Sequence, residues 1–209
     1  MKKLFVLMMA LVMTLSFAAC GGGEADTPAQ SSPGGAEATA SSDNTGAASD
    51  IEFVSMNFGH ITMSVPSVFG AVEEKEGMYI SAGPDASIVV TPTMGIDLQP
   101  SEWDESLAEE AIGYYSSTYT DLEFGAFEGD VNMNGNTAVY YAFFGKNASG
   151  KDRMVQVVRL FNADLTAQYM ISLIHSAEDE FFTPELAGEI INSITLSPEA
   201  QNLEAEPEG

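Results

Sequence analysis

Positive charge is scarce in this chain. Its 209 residues include 7 Lys and Arg against 31 Asp and Glu, so the formal net charge is −24 and the pI is near 4.1. A nucleic-acid-binding protein needs a cationic surface that displaces counterions from the phosphates. The composition therefore excludes a nucleic acid as the partner, and the negative field of the chain also disfavours a phosphate site.

Cysteine and histidine are rare as well. Cys20 is the single cysteine, which excludes an internal disulfide framework and a multi-thiolate metal site. The chain contains no Gly-x-Ser-x-Gly motif of a serine hydrolase. We interpret His60 as a turn residue and His175 as the end of an edge or exposed strand. We therefore expect no enzyme activity, no catalytic residue, no metal and no cofactor.

The N-terminus has the pattern of an export signal. Lys2 and Lys3 precede an apolar run over residues 4–17, which is shorter than the roughly 20 residues that a membrane span needs. The run ends in Phe17-Ala18-Ala19, followed by Cys20 and three glycines. This arrangement resembles the signal of bacterial lipoproteins. The alternative is an ordinary secretory signal that happens to end near a cysteine.

The lipoprotein resemblance implies an anchor made of lipid. Residues 1–19 would be the signal peptide, and Cys20 would become the N-terminus and carry acyl chains such as palmitate. No later stretch of the sequence is apolar enough to span a bilayer, so these chains would be the only anchor. We expect the protein at the extracytoplasmic face of the cell membrane, in the cell envelope.

Two segments have the composition of disordered chain. Residues 21–50 contain no aromatic residue, no Val, Ile, Leu or Met, and no positive charge. Such a segment cannot bury enough apolar surface to fold. We predict a flexible tether over residues 20–50 with a span of about 30 Å, and an acidic disordered tail over residues 199–209.

Residues 51–198 have the composition of a single globular domain. Short alternations of apolar and polar residues predict strands over 51–57, 61–65, 77–81 and 87–93. Longer ones predict strands over 122–133, 137–146, 153–162 and 166–176. Asn134-Gly135, between two of these, is the strongest hairpin signal. The last four strands are joined by short turns, which predicts an antiparallel meander.

Two segments have helical periodicity. Over residues 103–119 the apolar side chains occupy one half of the helical wheel, and Ser101 is the predicted N-cap. Thr183-Pro184 marks the beginning of a second helix, and its predicted buried stripe is Leu186, Ile190, Ile191 and Ile194. Two helices that cover a central antiparallel sheet make an α+β fold.

Both ends of the domain resemble a known family. The segment from Phe58 to Pro66 and the final helix ending in Asn192-Ser193-Ile194 resemble the first strand and last helix of PsbP-like and DcrB-like domains. The order of elements between them is similar too. The resemblance implies a PsbP-like α/β/α sandwich, which bacteria use in small envelope lipoproteins. The family has no shared catalytic motif, so the resemblance implies no site residue.

Acidic clusters and aromatic residues are the remaining candidates for a site. Carboxylates at 73–76, 102–110 and 178–180 suit Ca²⁺, but none has the spacing of a calcium loop. A solvated surface is the simpler interpretation. The aromatic residues could line a groove or form the core: Tyr114, Tyr115, Tyr119, Tyr140, Tyr141, Phe143 and Phe144. Alternate residues around Tyr141 are apolar on both faces of the strand, which favours the core.

Two functions agree with these features. The first is a membrane-tethered, non-enzymatic binding or scaffold module whose partner is an unidentified envelope protein. The alternative is a carrier of a small apolar or lipid-like ligand, held near Met78, Met94, Tyr114 and Tyr141. In both cases we expect a monomer that is attached to the membrane through its lipid and binds no nucleic acid.

The lipid anchor is directly testable. The Cys20→Ala variant should be released from the membrane or mislocalised, because the rest of the sequence has no apolar segment that could hold it there. Fractionation of cells, with a salt wash of the membranes, measures this. A variant that remains in the washed membranes in the same proportion as the native protein would contradict the lipoprotein assignment.

Overall fold

The computed structural model describes residues 51–178 and 181–202. The predicted signal peptide, Cys20, the tether and residues 203–209 lie outside the described residues, as do Asp179 and Glu180. The predictions about these segments therefore stay predictions. No helix in the described residues has the length and apolar character needed to cross a membrane.

The strands of the described residues form two antiparallel sheets. The small sheet has the order β1-β2-β10 and contains β1 (Phe53–Phe58), β2 (Ile61–Pro66) and β10 (Thr195–Leu196). The large sheet has the order β3-β4-β5-β9-β8-β7-β6. Its strands are β3 (Glu73–Lys75), β4 (Met78–Ala82), β5 (Ala86–Met94), β6 (Thr120–Met133), β7 (Asn136–Lys146), β8 (Asp152–Phe161) and β9 (Ala167–Ser176).

The predicted meander is confirmed. Strands β6 to β9 are neighbours in chain order, and each pair is antiparallel. At the β6–β7 turn, Asn134 and Gly135 have φ of 50° and 89°, which suits a type I′ hairpin. The Asn134 amide also donates to the carbonyl oxygens of Asn192 and Ile194, at 3.0 and 2.7 Å. One turn residue therefore fixes the hairpin and ties it to the C-terminal helix.

Two short strands were not predicted. Strand β3 consists of three exposed charged residues, which have no hydrophobic alternation to reveal them. Strand β10 has only two residues, and it pairs with β2 from the far end of the domain. Strands β1 and β2 form a hairpin, and β10 pairs with β2. These three strands make a sheet that is separate from the meander.

The single helix predicted over residues 103–119 is wrong. The structure has a 3₁₀ turn at Pro100–Glu102, helix α1 at Glu105–Ala111 and a second 3₁₀ segment at Ile112–Ser117. Trp103 is extended, with φ −77° and ψ 129°, and separates the first turn from α1.

The N-cap of α1 is Asp104 rather than Ser101. The Asp104 carboxylate accepts a hydrogen bond from the backbone N–H of Leu107 at 2.8 Å. After Ala111 the chain continues with Ile, Gly, Tyr and Ser, which are weaker helix formers than the Leu, Ala and Glu of α1. These residues end the α-helix and let the chain tighten into a 3₁₀ segment.

The second helix begins where the sequence predicts. Helix α2 (Pro184–Asn192) is capped by Thr183, whose hydroxyl accepts from the backbone N–H of Leu186. The predicted stripe of Leu186, Ile190 and Ile191 is buried. Ile194 is also buried, but it follows the helix end.

Both faces of the large sheet are covered, as predicted from β7. Tyr140, Ala142 and Phe144 belong to a core with α2 and the small sheet. Val139, Tyr141 and Phe143 belong to a second core, with Ala108, Ala111 and Ile112 from the α1 segment. The α/β/α arrangement of the predicted fold is confirmed.

Packing continues past residue 198, the predicted end of the domain. Ala200 is buried, and its carbonyl oxygen accepts from the Asn162 amide at 3.3 Å. The Gln201 amide donates to the Asn136 side-chain oxygen at 2.7 Å. The first residues of the predicted tail, Ala200–Asn202, thus form a 3₁₀ turn on the domain, anchored by contacts with the β7 and β8 regions.

The burial of the α2 stripe predicts unequal mutational effects on one helix. Ile190→Ala should lower the free energy of unfolding by about 2–5 kcal/mol, because it leaves a cavity in a closed core. Its neighbour Glu189 is exposed, and Glu189→Ala should cost less than about 0.5 kcal/mol. Urea denaturation of both variants measures the difference, and equal costs would contradict the packing of α2 on the sheet.

Candidate functional site

The side of the sheet that carries α1 contains an open cavity of about 270 Å³. We call it the Trp103 cavity. It lies between the segment that precedes and forms α1 and the surface of strands β8 and β9. Its lining residues are Asp97, Leu98, Trp103, Leu107, Glu110, Ala111, Tyr114, Arg159 and Gln168.

The local fold explains why this side stays open. Helix α1 has only seven residues, and the extended Trp103 precedes it. The small side chains of Ala108 and Ala111 bring α1 close to the sheet, while Leu107 is only partly buried and borders the cavity. The short helix therefore covers part of this face and leaves the cavity beside it.

Arg159 is the cation of the cavity. In the register of the sheet it lies on β8 between Val139 and Met170. Its Nη1 donates to the Gln168 side-chain oxygen at 3.2 Å. Its guanidinium carbon lies 4.5 Å from the centre of the Trp103 ring, which is cation–π geometry.

Trp103 contacts two partners. Its indole stacks on the fully buried Tyr141 ring with a centroid separation of 6.0 Å and an interplanar angle of 9°. Arg159 contacts the same indole. These contacts place the guanidinium on the aromatic floor of the cavity.

Two buried nitrogen atoms of this group have no hydrogen-bond partner within the described residues. They are Nε1 of Trp103 and Nε of Arg159. Nor does Arg159 form an ion pair within 4.0 Å with any described carboxylate. Both atoms are buried, and a buried polar donor without a partner costs free energy.

Below the cavity, Tyr115 closes the core. Its hydroxyl donates to the sulfur of Met170 at 3.6 Å, and its ring packs on Phe143 with a centroid separation of 4.7 Å. Burial raises the pKa of the Tyr115 hydroxyl well above its usual value, with the neighbouring Tyr141 as a secondary cause. Tyr115 is therefore a neutral packing residue across the physiological pH range.

The aromatic residues named from the sequence divide between core and surface. Tyr119, Tyr140, Tyr141, Phe143 and Phe144 are buried, which confirms the core interpretation for them. Tyr114 is 83% exposed and is the only one of the named aromatics among the lining residues described. Met78 and Met94, expected near an apolar ligand, do not line the Trp103 cavity.

The prediction for His175 is wrong. It lies on β9 between β5 and β8, and it is only 3% exposed. Its Nδ1 donates to the Ser176 carbonyl oxygen at 2.8 Å, and its Nε2 accepts from the Gln156 amide at 3.1 Å. The Gln156 oxygen in turn accepts from the Tyr140 hydroxyl at 3.2 Å. These bonds satisfy a neutral imidazole inside the core, where Phe182 stacks on it at 4.7 Å.

His60 is a turn residue, as predicted. Its Nδ1 lies 3.3 Å from the Ser197 hydroxyl oxygen, and its carbonyl oxygen accepts from the Ser197 backbone N–H at 2.8 Å. The backbone bond extends the pairing of β2 with β10, so this contact secures the small sheet. The described residues contain no group of three or more His, Cys, Asp or Glu that could hold a metal ion.

A second cavity, of about 330 Å³, lies near the β4–β5 turn. There Arg153 pairs with Asp85 at 2.8 Å and also donates to the Asp85 carbonyl oxygen at 3.0 Å. The Arg153 hydrogen bond is the main cause that lowers the pKa of the Asp85 carboxyl. In contrast to Arg159, this arginine has a carboxylate partner.

Sequence reasoning did not identify Arg159, Gln168 or Asp97 as site residues. A signal for Arg159 was present, because it interrupts the apolar run Val157-Val158 and Leu160-Phe161 on a predicted strand. A cation at such a position requires a local partner. For Gln168 and Asp97 no signal existed, since their role depends on the packing of separate segments.

No protein-family model and no curated protein sequence matches this chain. Among solved structures, the Saccharomyces cerevisiae Ran-binding protein Mog1p matches 73% of this chain and 99% of its own, with 13% identity and a TM-score of 0.50. The cyanobacterial PsbP (CyanoP) from Synechocystis sp. PCC 6803 matches 73% and 97%, with 9% identity and a TM-score of 0.51. At these identities the likeness shows the fold alone, and it confirms a PsbP-like α+β fold.

The position of Leu107 at the cavity predicts a modest cost of truncation. Leu107→Ala should lower the free energy of unfolding by about 1 kcal/mol, less than Ile190→Ala, because part of its side chain already faces water. Urea denaturation compares the two variants. A Leu107→Ala cost as large as that of Ile190→Ala would show that the α1 side is closed.

Proposed function

We propose that this chain, which shares the fold of PsbP and Mog1p, is a non-enzymatic binding module whose recognition site is the Trp103 cavity. Cys20 tethers the module to the extracytoplasmic face of the cell membrane. The tether after Cys20 lets the domain move about its anchor. The signal pattern and the composition of residues 21–50 support this part of the proposal.

The observation that supports the recognition site is that Arg159 has no carboxylate partner among the described residues. The domain has only five Lys and Arg between residues 51 and 198, against 22 Asp and Glu. One of these five lies on the floor of a cavity with no carboxylate within 4.0 Å among the described residues. An arginine placed this way lacks the partner that would offset its desolvation. A ligand with an acceptor group would supply that partner.

A binding role also agrees with one structural relative. Mog1p is a Ran-binding protein, so the fold serves binding in at least one case. In the described residues, neither histidine is arranged for proton transfer to a nucleophile, because His175 is enclosed in the core and His60 secures the small sheet. These observations favour binding over catalysis.

The chemistry of the walls disfavours a lipid-like ligand. An acyl chain in the Trp103 cavity would separate Asp97, Glu110 and Arg159 from water without replacing their hydrogen bonds. A small ligand with polar groups fits the walls better. The second candidate, a scaffold for an envelope protein, is favoured by exposed apolar side chains such as Tyr114, which is 83% exposed and available to a protein partner.

Native mass spectrometry of the full chain tests the proposed site. The protein, isolated from its own membranes in mild detergent, should carry a small-molecule adduct. Leu107→Phe should deplete the adduct because the larger ring projects into the cavity, which is lined by Leu107, and takes space from the ligand. Ser106→Phe adds the same ring at an exposed position of the same helix and should keep the adduct.

Two results would contradict the proposal. The native protein could show only its apo mass, which means that the cavity holds no ligand. Alternatively, the adduct could persist undiminished in Leu107→Phe, which would place the ligand elsewhere on the molecule. Thermal unfolding of both variants confirms that each one is folded.

A further inference from the structure

The Trp103 cavity carries charges of both signs. Arg159 lies on its floor, while Asp97 and Glu110 are exposed residues that also line it. Within the described residues, no ion pair of 4.0 Å or less involves any of the three. We call Arg159 the cationic region of the cavity, and Asp97 with Glu110 its anionic region.

The cationic region is prearranged for an anionic group. Gln168 holds Nη1 of Arg159, and the Trp103 ring supports the plane of the guanidinium. Its buried Nε has no partner within the described residues. A guanidinium fixed in this way suits a carboxylate, which accepts a charge-assisted hydrogen bond.

The anionic region selects against a simple anion. Asp97 and Glu110 repel a ligand whose only charge is negative, and the net charge of the chain adds to that repulsion. The same two carboxylates attract an ammonium group. Leu98, Leu107 and Ala111 also line the cavity and give it an apolar surface.

We propose, on the basis of the function proposed above, that the Trp103 cavity binds a small zwitterion with a carboxylate and an ammonium group, of the free α-amino acid class. The carboxylate contacts Arg159, the ammonium group lies toward Asp97 and Glu110, and the apolar part packs on Leu98 and Leu107. A cavity of about 270 Å³ is near the lower end of small-molecule sites, which suits a ligand of this size.

Isothermal titration of the full chain with the standard L-amino acids tests the ligand class. At least one amino acid with an apolar side chain should bind with a Kd below about 1 mM. The amide of that amino acid keeps the ammonium group and lacks the carboxylate, whereas its N-acetyl derivative keeps only the carboxylate. Each derivative should bind about tenfold or more weakly, the scale of one lost charge-assisted hydrogen bond.

Two arginines on one strand provide a matched comparison. Arg159→Gln should weaken binding of the amino acid about tenfold or more and should weaken binding of its amide much less, because the amide has no carboxylate to pair with the guanidinium. Arg153→Gln removes the same charge from β8, but Arg153 pairs with Asp85 at the second cavity. The Arg153→Gln variant should therefore bind the amino acid with the same affinity as the native protein.

Three results would overturn the zwitterion assignment. In the first, none of the amino acids binds. In the second, an amino acid and its two derivatives bind with equal affinity. In the third, Arg159→Gln and Arg153→Gln weaken binding of the amino acid equally. The proposed function would survive any of them if the native adduct is still depleted in Leu107→Phe. The comparison of derivatives uses the native protein, so it remains decisive if a variant does not fold.

Discussion

The apolar character of both faces of β7 is the constraint on which the rest of the structure depends. Tyr140, Ala142 and Phe144 face one side of the sheet, and Val139, Tyr141 and Phe143 face the other. A strand of this kind is stable only between two covering layers. Helix α2 and the small sheet cover one side, and the α1 segment covers the other.

The two covers are unequal, and the candidate site follows from that difference. On the α2 side, large apolar residues from a helix and a second sheet form the buried core. On the α1 side, seven helical residues are followed by a 3₁₀ segment, and the cavity remains beside them. Arg159 lies on this side, and its Nε is buried without a hydrogen-bond partner among the described residues.

The elements governed by local patterns were predictable, and those governed by distant contacts were not. Alternation and the Asn134-Gly135 turn located the meander, and Thr183 with Pro184 located α2. The helical wheel of residues 103–119 shows only which positions are apolar. It does not reveal that Trp103 is extended or that the α-helix ends at Ala111, so one helix was predicted for the whole range. The burial of His175 depends on Gln156 from a neighbouring strand, which no local pattern reveals. The cavity was not predicted for the same reason, because its lining residues come from four separate stretches of chain.

The two layers that cover the large sheet differ, since the α2 layer is closed and the α1 layer is open beside the Trp103 cavity. Amide hydrogen–deuterium exchange of the full chain compares them directly, since protection follows the free energy of local opening. We expect the amides of residues 105–117 to exchange well before those of residues 188–192, under conditions where the strands β7 and β8 stay protected. Equal protection of the two segments, or earlier exchange in α2, would contradict this expectation.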